Sequence, residues 1–140
     1  MKVFVDANIL VSVITKEHPL FGITARILSL AGAGKTHIYT TPICLAIAFY
    51  FAEKRYRSAA AKEKLRILCE HVEIAAASAG AVRSAFADPA AKDFEDGLEY
   101  YSALEAGCQC IVTEDKAGFY FSKIPVLTAH EFYETHMTRR

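Results

Sequence analysis

A short apolar segment that ends at an acidic residue stands at the beginning of the chain. Lys2–Val5 is rich in β-branched and aromatic residues, which is typical of a buried strand, and Asp6 follows directly. In a parallel α/β sheet, ligands bind at the carboxyl ends of strands because loops and helix N-termini meet there. The position of Asp6 therefore predicts a functional site at this strand end, to which other parts of the chain contribute.

Strands and helices alternate along the rest of the sequence. Further strands are predicted at residues 37–40, 72–76, 110–113 and 125–127, and helices at 9–14, 21–30, 42–56, 59–69, 78–86, 93–105 and from 128 onward. The alternation predicts an α/β fold with a central, mostly parallel sheet and helices on both faces. At 140 residues, the chain is expected to form a single domain over residues 1–140.

The composition excludes several classes of protein. With 53% hydrophobic and 23% charged residues, the chain is expected to be globular rather than disordered. The formal net charge is zero, which argues against a globally basic nucleic-acid binder, although a local patch or a metal can still bind RNA phosphates. The longest apolar run, residues 43–52, is shorter than the roughly 20 residues that span a bilayer, so no membrane association is expected.

The start of the chain and its cysteines predict a cytoplasmic location. Met1 leads straight into the first strand, so no secretion signal is expected. The cysteines are scattered through predicted helices and strands, and in a reduced compartment they are expected to be small buried apolar residues. They are Cys44, Cys69, Cys108 and Cys110.

Two further carboxylates are predicted to reach the same edge of the sheet as Asp6. Asp115 lies in the loop after the strand at residues 110–113, and Asp96 lies in the first turns of the helix that begins near Asp93. Carboxylates packed at one edge of a sheet repel one another unless protons or a cation compensate. Oxygen-only ligands favour Mg²⁺ or Mn²⁺, and such a metal suits phosphodiester hydrolysis because it activates water and neutralises charge on the phosphate.

Each acid also has a simpler interpretation when it is taken alone. Asp6 could cap the following helix, Asp96 could complement the helix dipole, and Asp115 could be a solvated loop residue. Their joint placement favours a shared site.

Four segments, taken in order, resemble a PIN domain: VDANIL, DFEDGLEYYSAL, IVTEDKAGF and KIPVLTAHEF. They cover essentially the whole chain, and they are most similar to small stand-alone bacterial PIN proteins, which include VapC-type toxins. The resemblance implies a flavodoxin-like, three-layer sandwich and a Mg²⁺- or Mn²⁺-dependent ribonuclease with an acidic pocket. It also implies an RNA substrate, an antitoxin that masks the site, and a homodimer.

The same resemblance assigns roles to individual residues. It implies that Asp6, Asp96 and Asp115 are the catalytic, metal-holding acids, and that Asn8 and Thr113 line the pocket.

The helix after the second strand departs from the family pattern. PIN domains usually carry S-x-x-x-L-A-E there, and in this chain the last position is Ile47. Glu53 is a poor replacement because six residues along a helix rotate a side chain by roughly 240° from position 47. The missing carboxylate predicts weaker metal binding. It leaves open an alternative function, a catalytically degenerate PIN domain that binds RNA or a partner protein.

Other acids and a glycine near the motifs bear on this question. Asp93 and Glu99 each lie three residues from Asp96, so they are expected to share its helix face and to assist in the pocket. Gly118 stands where relatives often have an acid before the Phe.

A third interpretation is a phosphotransfer protein with Asp6 phosphorylated, although such hydrolases commonly have a second Asp at the position of Asn8.

Aromatic and basic clusters have two interpretations each. The aromatic runs at residues 49–51 and 100–101 are expected to fill core or interface, with stacking on RNA bases as the alternative. The basic stretch between residues 54 and 66 is expected to be a solvated helix face, with contact to an RNA backbone as the alternative.

Overall fold

The strands form one parallel sheet. The computed structural model describes residues 1–138, and its strands are β1 (Lys2–Val5), β2 (His37–Thr40), β3 (Glu73–Ile74), β4 (Cys110–Val112) and β5 (Val126–Leu127). They are ordered β3-β2-β1-β4-β5, and every neighbouring pair is parallel. The chain first builds outward from β1 through β2 and β3, and later returns to the opposite side of β1. A crevice is therefore expected between the carboxyl ends of β1 and β4, where the connections diverge.

Seven α-helices and two 3₁₀ turns connect or flank the strands within residues 1–138. The helices are α1 (Ala7–Ile14), α2 (Phe21–Ser29), α3 (Pro42–Arg55), α4 (Ser58–Leu68), α5 (Ala79–Ala87), α6 (Phe94–Glu105) and α7 (Ala129–His136). The 3₁₀ turns are Leu30–Ala33 and Lys116–Phe119. The elements predicted from the sequence are confirmed in order and type. The third strand is shorter than predicted because, at the sheet edge, only Glu73 and Ile74 pair with β2.

Polar residues fix where most of the helices begin. In five helices the side chain just before the first turn accepts a hydrogen bond from a backbone N–H of that turn, which typically stabilises a protein by about 1 kcal/mol. These residues are Asp6, Thr41, Ser78, Asp93 and Thr128. Two of them, Asp6 and Asp93, belong to the acidic motifs, so helix capping and the predicted site use the same residues.

The core lies on both faces of the central strands. Val3, Phe4 and Val5 of β1 are fully buried, as are Ile111 and Val112 of β4. A strand buried on both faces needs a helical layer on each side, so the architecture is the predicted three-layer α/β sandwich. Its sheet is entirely parallel.

Two further expectations concern the membrane and the cysteines. Among residues 1–138, none of the helices has both the length and the apolar character needed to cross a membrane. Cys44, Cys108 and Cys110 are buried free thiols, as predicted, whereas Cys69 is partly exposed.

Candidate active site

The carboxyl ends of β1 and β4 are joined by hydrogen bonds through Thr113. Oδ1 of Asp6 accepts the N–H of Ala7 at 2.8 Å, and Oδ2 accepts the hydroxyl of Thr113 at 2.8 Å. The same hydroxyl oxygen accepts the Asn8 side-chain amide at 3.1 Å and the N–H of Asp115 at 3.0 Å. The single hydroxyl proton is donated in the hydrogen bond to Asp6, and the lone pairs accept the hydrogen bonds from the other two groups. Thr113 is fully buried, so it positions the polar groups around it and does not itself line an open pocket.

A cavity of about 400 Å³ opens at these strand ends. Its polar lining is mostly acidic and is formed by Asp6, Asn8, Glu17, Glu95, Asp96, Glu114 and Asp115. The structure therefore brings the three predicted catalytic acids, together with Asn8, to one cavity. Sequence reasoning did not single out Glu95 and Glu114, although each is the immediate neighbour of a predicted acid.

The rest of the lining is apolar. Ile47 and Phe51 contribute to it from α3, and Val11 and Leu20 contribute from the segments before it. The resemblance to PIN domains places a carboxylate at position 47, whereas Ile47 puts an apolar side chain into the cavity that holds the acids. Glu53 does not line this cavity, and its carboxylate accepts a hydrogen bond from Ser58.

The acids have no positively charged partner within residues 1–138: none of the ion pairs there involves Asp6, Asp96 or Asp115. The pKa of Asp96 is raised to about 7, first by burial and then by the negative charges of Asp93, Asp6, Asp115 and Glu95. Burial also raises the pKa of Asp6, although hydrogen bonds from Thr113 and Ala7 oppose that effect. These carboxylates need either protons or a cation for compensation.

Gly118 permits the close approach of two of these acids. A β-carbon at this position would lie 2.7 Å from Oδ2 of Asp96 and 2.9 Å from Oδ2 of Asp115, which is closer than atoms can pack. The N–H of Gly118 also donates to Oδ1 of Asp115 at 3.3 Å. A side chain at position 118 would therefore push the two carboxylates away from their present positions.

A group of hard oxygen donors with uncompensated charge suits Mg²⁺ or Mn²⁺, so the residues present fit such an ion.

Glu99 does not line the cavity, contrary to its predicted place in the pocket. It is only 1% exposed, and its carboxylate accepts the Thr41 hydroxyl at 2.9 Å and the thiol of Cys44. The Cys44 sulfur also lies 3.9 Å from Oδ1 of Asp6, and one ligand atom each from Asp6, Cys44 and Glu99 lie within 4.8 Å of one another. Glu99 thus lies next to Asp6 but buried behind the cavity, because the face of α6 that carries it is packed inside the protein.

The buried position of Glu99 has an electrostatic consequence. Burial raises its pKa to about 7, partly opposed by the hydrogen bonds from Cys44 and Thr41. The thiol of Cys44 in turn has its pKa raised well above the usual value by burial and by the charges of Glu99 and Asp6. Nothing in the sequence pattern pointed to Cys44, whose place next to both acids depends on how α3 and α6 pack.

Asp93 also lies outside the cavity. Its Oδ1 accepts the N–H of Asp96 at 3.0 Å, so it caps α6. The side chain is directed to the helix end, so a direct role of Asp93 in the pocket stays a prediction. Asp93 still influences the site, since its charge raises the pKa of Asp96.

Comparisons with known proteins agree with this arrangement. The family description "PIN domain" matches residues 2–117. Ribonuclease VapC1 of Aquifex aeolicus (strain VF5) is 28% identical over 137 residues, which cover 95% of this chain and 94% of that protein.

Two solved structures share the fold. The crystal structure of VapBC2 from Rickettsia felis bound to a DNA fragment from their promoter has a TM-score of 0.70 at 19% identity, covering 91% of this chain and 98% of the other. The structure of Mycobacterium tuberculosis VapC20, a sarcin-ricin loop cleaving toxin, has a TM-score of 0.64 at 18% identity, covering 88% and 98% of the two chains. The two structures show the same fold, and the match over residues 2–117 shows that the chain belongs to the PIN domain family.

Proposed function

We propose that this protein is a metal-dependent endoribonuclease that hydrolyses RNA phosphodiester bonds, with Asp6, Asp96 and Asp115 holding Mg²⁺ or Mn²⁺. The observation that carries the proposal is the convergence of these three carboxylates, without a cationic partner in residues 1–138, on one side of a single cavity. Negatively charged RNA would be repelled by such a surface, so a bound cation is needed for phosphate to approach.

The chain's own residues supply orientation. A divalent metal, when bound, would activate water and offset the charge that develops on the phosphate. The Ala7 N–H and the Thr113 hydroxyl hold the two oxygens of Asp6 in fixed directions. Asn8 uses one of its two amide hydrogens on Thr113, so the other remains for a phosphate oxygen or for water.

The biological role that fits best is the toxin of a toxin–antitoxin pair, acting in the cytoplasm. Support comes from the similarity to Ribonuclease VapC1 over 95% of this chain. The proposal includes an antitoxin protein that covers the acidic cavity, and a homodimer.

The alternative is a degenerate PIN domain that binds RNA or a protein without cleaving it. The observation that favours this alternative is Ile47, which places an apolar side chain in the cavity where the family usually has a carboxylate. Three acids can nevertheless hold a hydrated Mg²⁺, because this ion usually keeps several waters and takes only one or two carboxylates from a protein. For this reason we place the ribonuclease first.

The experiment that tests the proposal is cleavage of a panel of structured and single-stranded RNAs with Mn²⁺ or Mg²⁺. An EDTA control, Asp6→Asn and the surface variant Glu134→Gln are purified and assayed identically. Glu134 is exposed on α7 and does not line the cavity. We expect metal-dependent cleavage by the wild type and by Glu134→Gln, and none by Asp6→Asn. Cleavage that survives in Asp6→Asn would identify a contaminating nuclease, and intact RNA together with measurable RNA affinity would favour the degenerate alternative.

A further inference from the structure

Helix α3 presents two exposed aromatic rings beside the acidic cavity. Phe51 is 45% exposed and Tyr50 is 56% exposed, so neither residue fills the core, and of the predicted roles a place at an interface and stacking on RNA bases remain. Phe51 lies one helical turn after Ile47, and both residues line the apolar side of the cavity. An aromatic ring and the acids thus line the same cavity of about 400 Å³.

A lysine lies against the same rings. The Nζ of Lys54 is 4.2 Å from the ring centroid of Tyr50 and 5.5 Å from that of Phe51. Within residues 1–138, Lys54 takes part in none of the ion pairs. The rings therefore hold a positive charge beside Phe51, which lines the same cavity as the acids.

These features match the chemistry of one nucleotide. A nucleobase is flat and has a π face that stacks on aromatic side chains whatever its sequence, whereas its phosphate is attracted to lysine. The acidic residues of the cavity would repel a phosphate unless a metal were bound to them. The apolar residues of the cavity are therefore the ones that suit the base. A base inside a duplex is already stacked and could not enter, which restricts the ligand to single-stranded RNA.

We propose that Ile47 and Phe51 form a nucleobase subsite next to the acidic group, with Lys54 binding the adjoining backbone phosphate of single-stranded RNA. The inference rests on the proposed ribonuclease function for the identity of the ligand. The inference also gives Ile47 a role. An isoleucine in place of the usual carboxylate extends the apolar surface on which the base would lie.

The test measures RNA affinity separately from cleavage. Binding of a fluorescein-labelled single-stranded oligoribonucleotide, and of its duplex, is followed by anisotropy for the wild type, Phe51→Ala, Phe51→Tyr and Lys54→Gln. Ca²⁺, which also prefers oxygen ligands, replaces Mg²⁺ or Mn²⁺, and a gel checks that the probe stays intact. Ile67→Ala is the matched control, because Ile67 lies on α4 outside the cavity and is also 45% exposed. We expect Phe51→Ala to lose affinity for the single strand about tenfold, Phe51→Tyr to retain it, and Ile67→Ala to bind as the wild type does. Lys54→Gln should weaken binding and reduce its dependence on salt.

Each outcome separates this inference from the proposed function. Wild-type affinity in Phe51→Ala would overturn the subsite even if the protein cleaves RNA with Mn²⁺. Absence of cleavage, together with single-strand affinity that depends on Phe51, would support the subsite and contradict the ribonuclease. If Phe51→Ala instead converts a dimer into a monomer in analytical ultracentrifugation without changing RNA affinity, the surface is an interface between copies and the subsite is overturned. Should Phe51→Ala fail to give a folded circular dichroism spectrum, Phe51→Leu and Lys54→Gln provide the same comparison.

Discussion

The hydroxyl of Thr113 donates a 2.8 Å hydrogen bond to the carboxylate of Asp6 and thereby ties the end of β4 to the end of β1. The two residues are 107 positions apart in the chain, yet they meet where the strand order reverses. Thr113 also accepts hydrogen bonds from Asn8 and Asp115, so one buried hydroxyl sets the relative position of three polar groups in the site.

Replacement of Thr113 by Val is expected to lower both stability and metal affinity. Valine keeps the shape of threonine but leaves Asp6, Asn8 and the N–H of Asp115 without their shared partner, which costs roughly 1–3 kcal/mol when a buried group is unsatisfied. Urea unfolding measures the first effect and calorimetric titration with Mn²⁺ measures the second. Thr113→Ser retains the hydroxyl and should remain close to the wild type. Equal metal affinity in the Val and Ser variants would show that the hydroxyl does not organise the site.

Replacement of Gly118 by Ala is expected to lower the affinity for Mn²⁺, with a smaller effect on the stability of the fold. The added methyl group would lie under 3 Å from carboxylate oxygens of both Asp96 and Asp115, so these side chains must turn away from each other. Gly22→Ala is the matched control, because a β-carbon there would meet nothing within 4 Å and helix α2 should gain up to about 1 kcal/mol. Mn²⁺ titration and thermal unfolding of the two variants provide the comparison. An unchanged Mn²⁺ affinity in Gly118→Ala would contradict the proposed role of the two acids.

The metal-free protein is expected to lose stability as the pH rises from about 5 to 8. The folded-state pKa values of Asp96 and Glu99 are about 7, above the ordinary values of 3.8 and 4.5. Folding therefore favours their protonated forms, and the stability that this contributes is fully present below about pH 4 and is lost as the pH passes through 7. Thermal unfolding in EDTA measures the trend. Glu99→Gln, which cannot ionise at this position, should show a shallower decline, and a melting temperature that rises over this pH range would contradict the assignment.

Saturating Mn²⁺ should oppose that decline. A divalent ion binds the deprotonated carboxylates and stabilises the folded state by mass action, so the increase in melting temperature that Mn²⁺ causes should grow from pH 5 to pH 8. An increase that is the same at both pH values would indicate that the metal binds elsewhere.

Introduction of a carboxylate at position 47 is expected to strengthen metal binding and to lower the stability of the metal-free protein. Ile47→Glu adds an acid to the cavity that Asp6, Asp96 and Asp115 line. Mn²⁺ affinity should increase, and the melting temperature in EDTA should fall because a further negative charge is left uncompensated. Ile47→Gln is the control, because glutamine has the shape of glutamate without its charge. If Ile47→Glu gains cleavage activity that the wild type lacks, the wild type is a degenerate PIN domain.

The sequence predicts the framework well because its signals are local. The apolar run before Asp6 and the one before Thr113 each end at a strand terminus, and parallel strands place such termini at the same edge of the sheet. Caps such as Asp93 and Thr128 likewise mark helix starts within a few residues. Those local patterns are sufficient for the sheet, the helices and the convergence of the three acids.

The parts that the sequence does not predict depend on how helices face one another. Glu99 is only three residues from Asp96, but α6 buries it against Thr41 and Cys44. Phe51 belongs to an apolar run and yet remains about half exposed at the cavity mouth. Helical spacing shows which residues share a face, whereas the packing of α3 and α6 decides whether that face meets core, cavity or solvent.

Direct measurement of Mn²⁺ binding tests the central claim, that three carboxylates form a metal site without an acid at position 47. Isothermal titration calorimetry at pH 8 would compare the wild type with Asp115→Asn and with the surface variant Glu134→Gln. We expect saturable Mn²⁺ binding in the wild type and in Glu134→Gln, and at least a tenfold loss of affinity in Asp115→Asn. The absence of saturable binding in the wild type, or equal binding in all three proteins, would contradict the account.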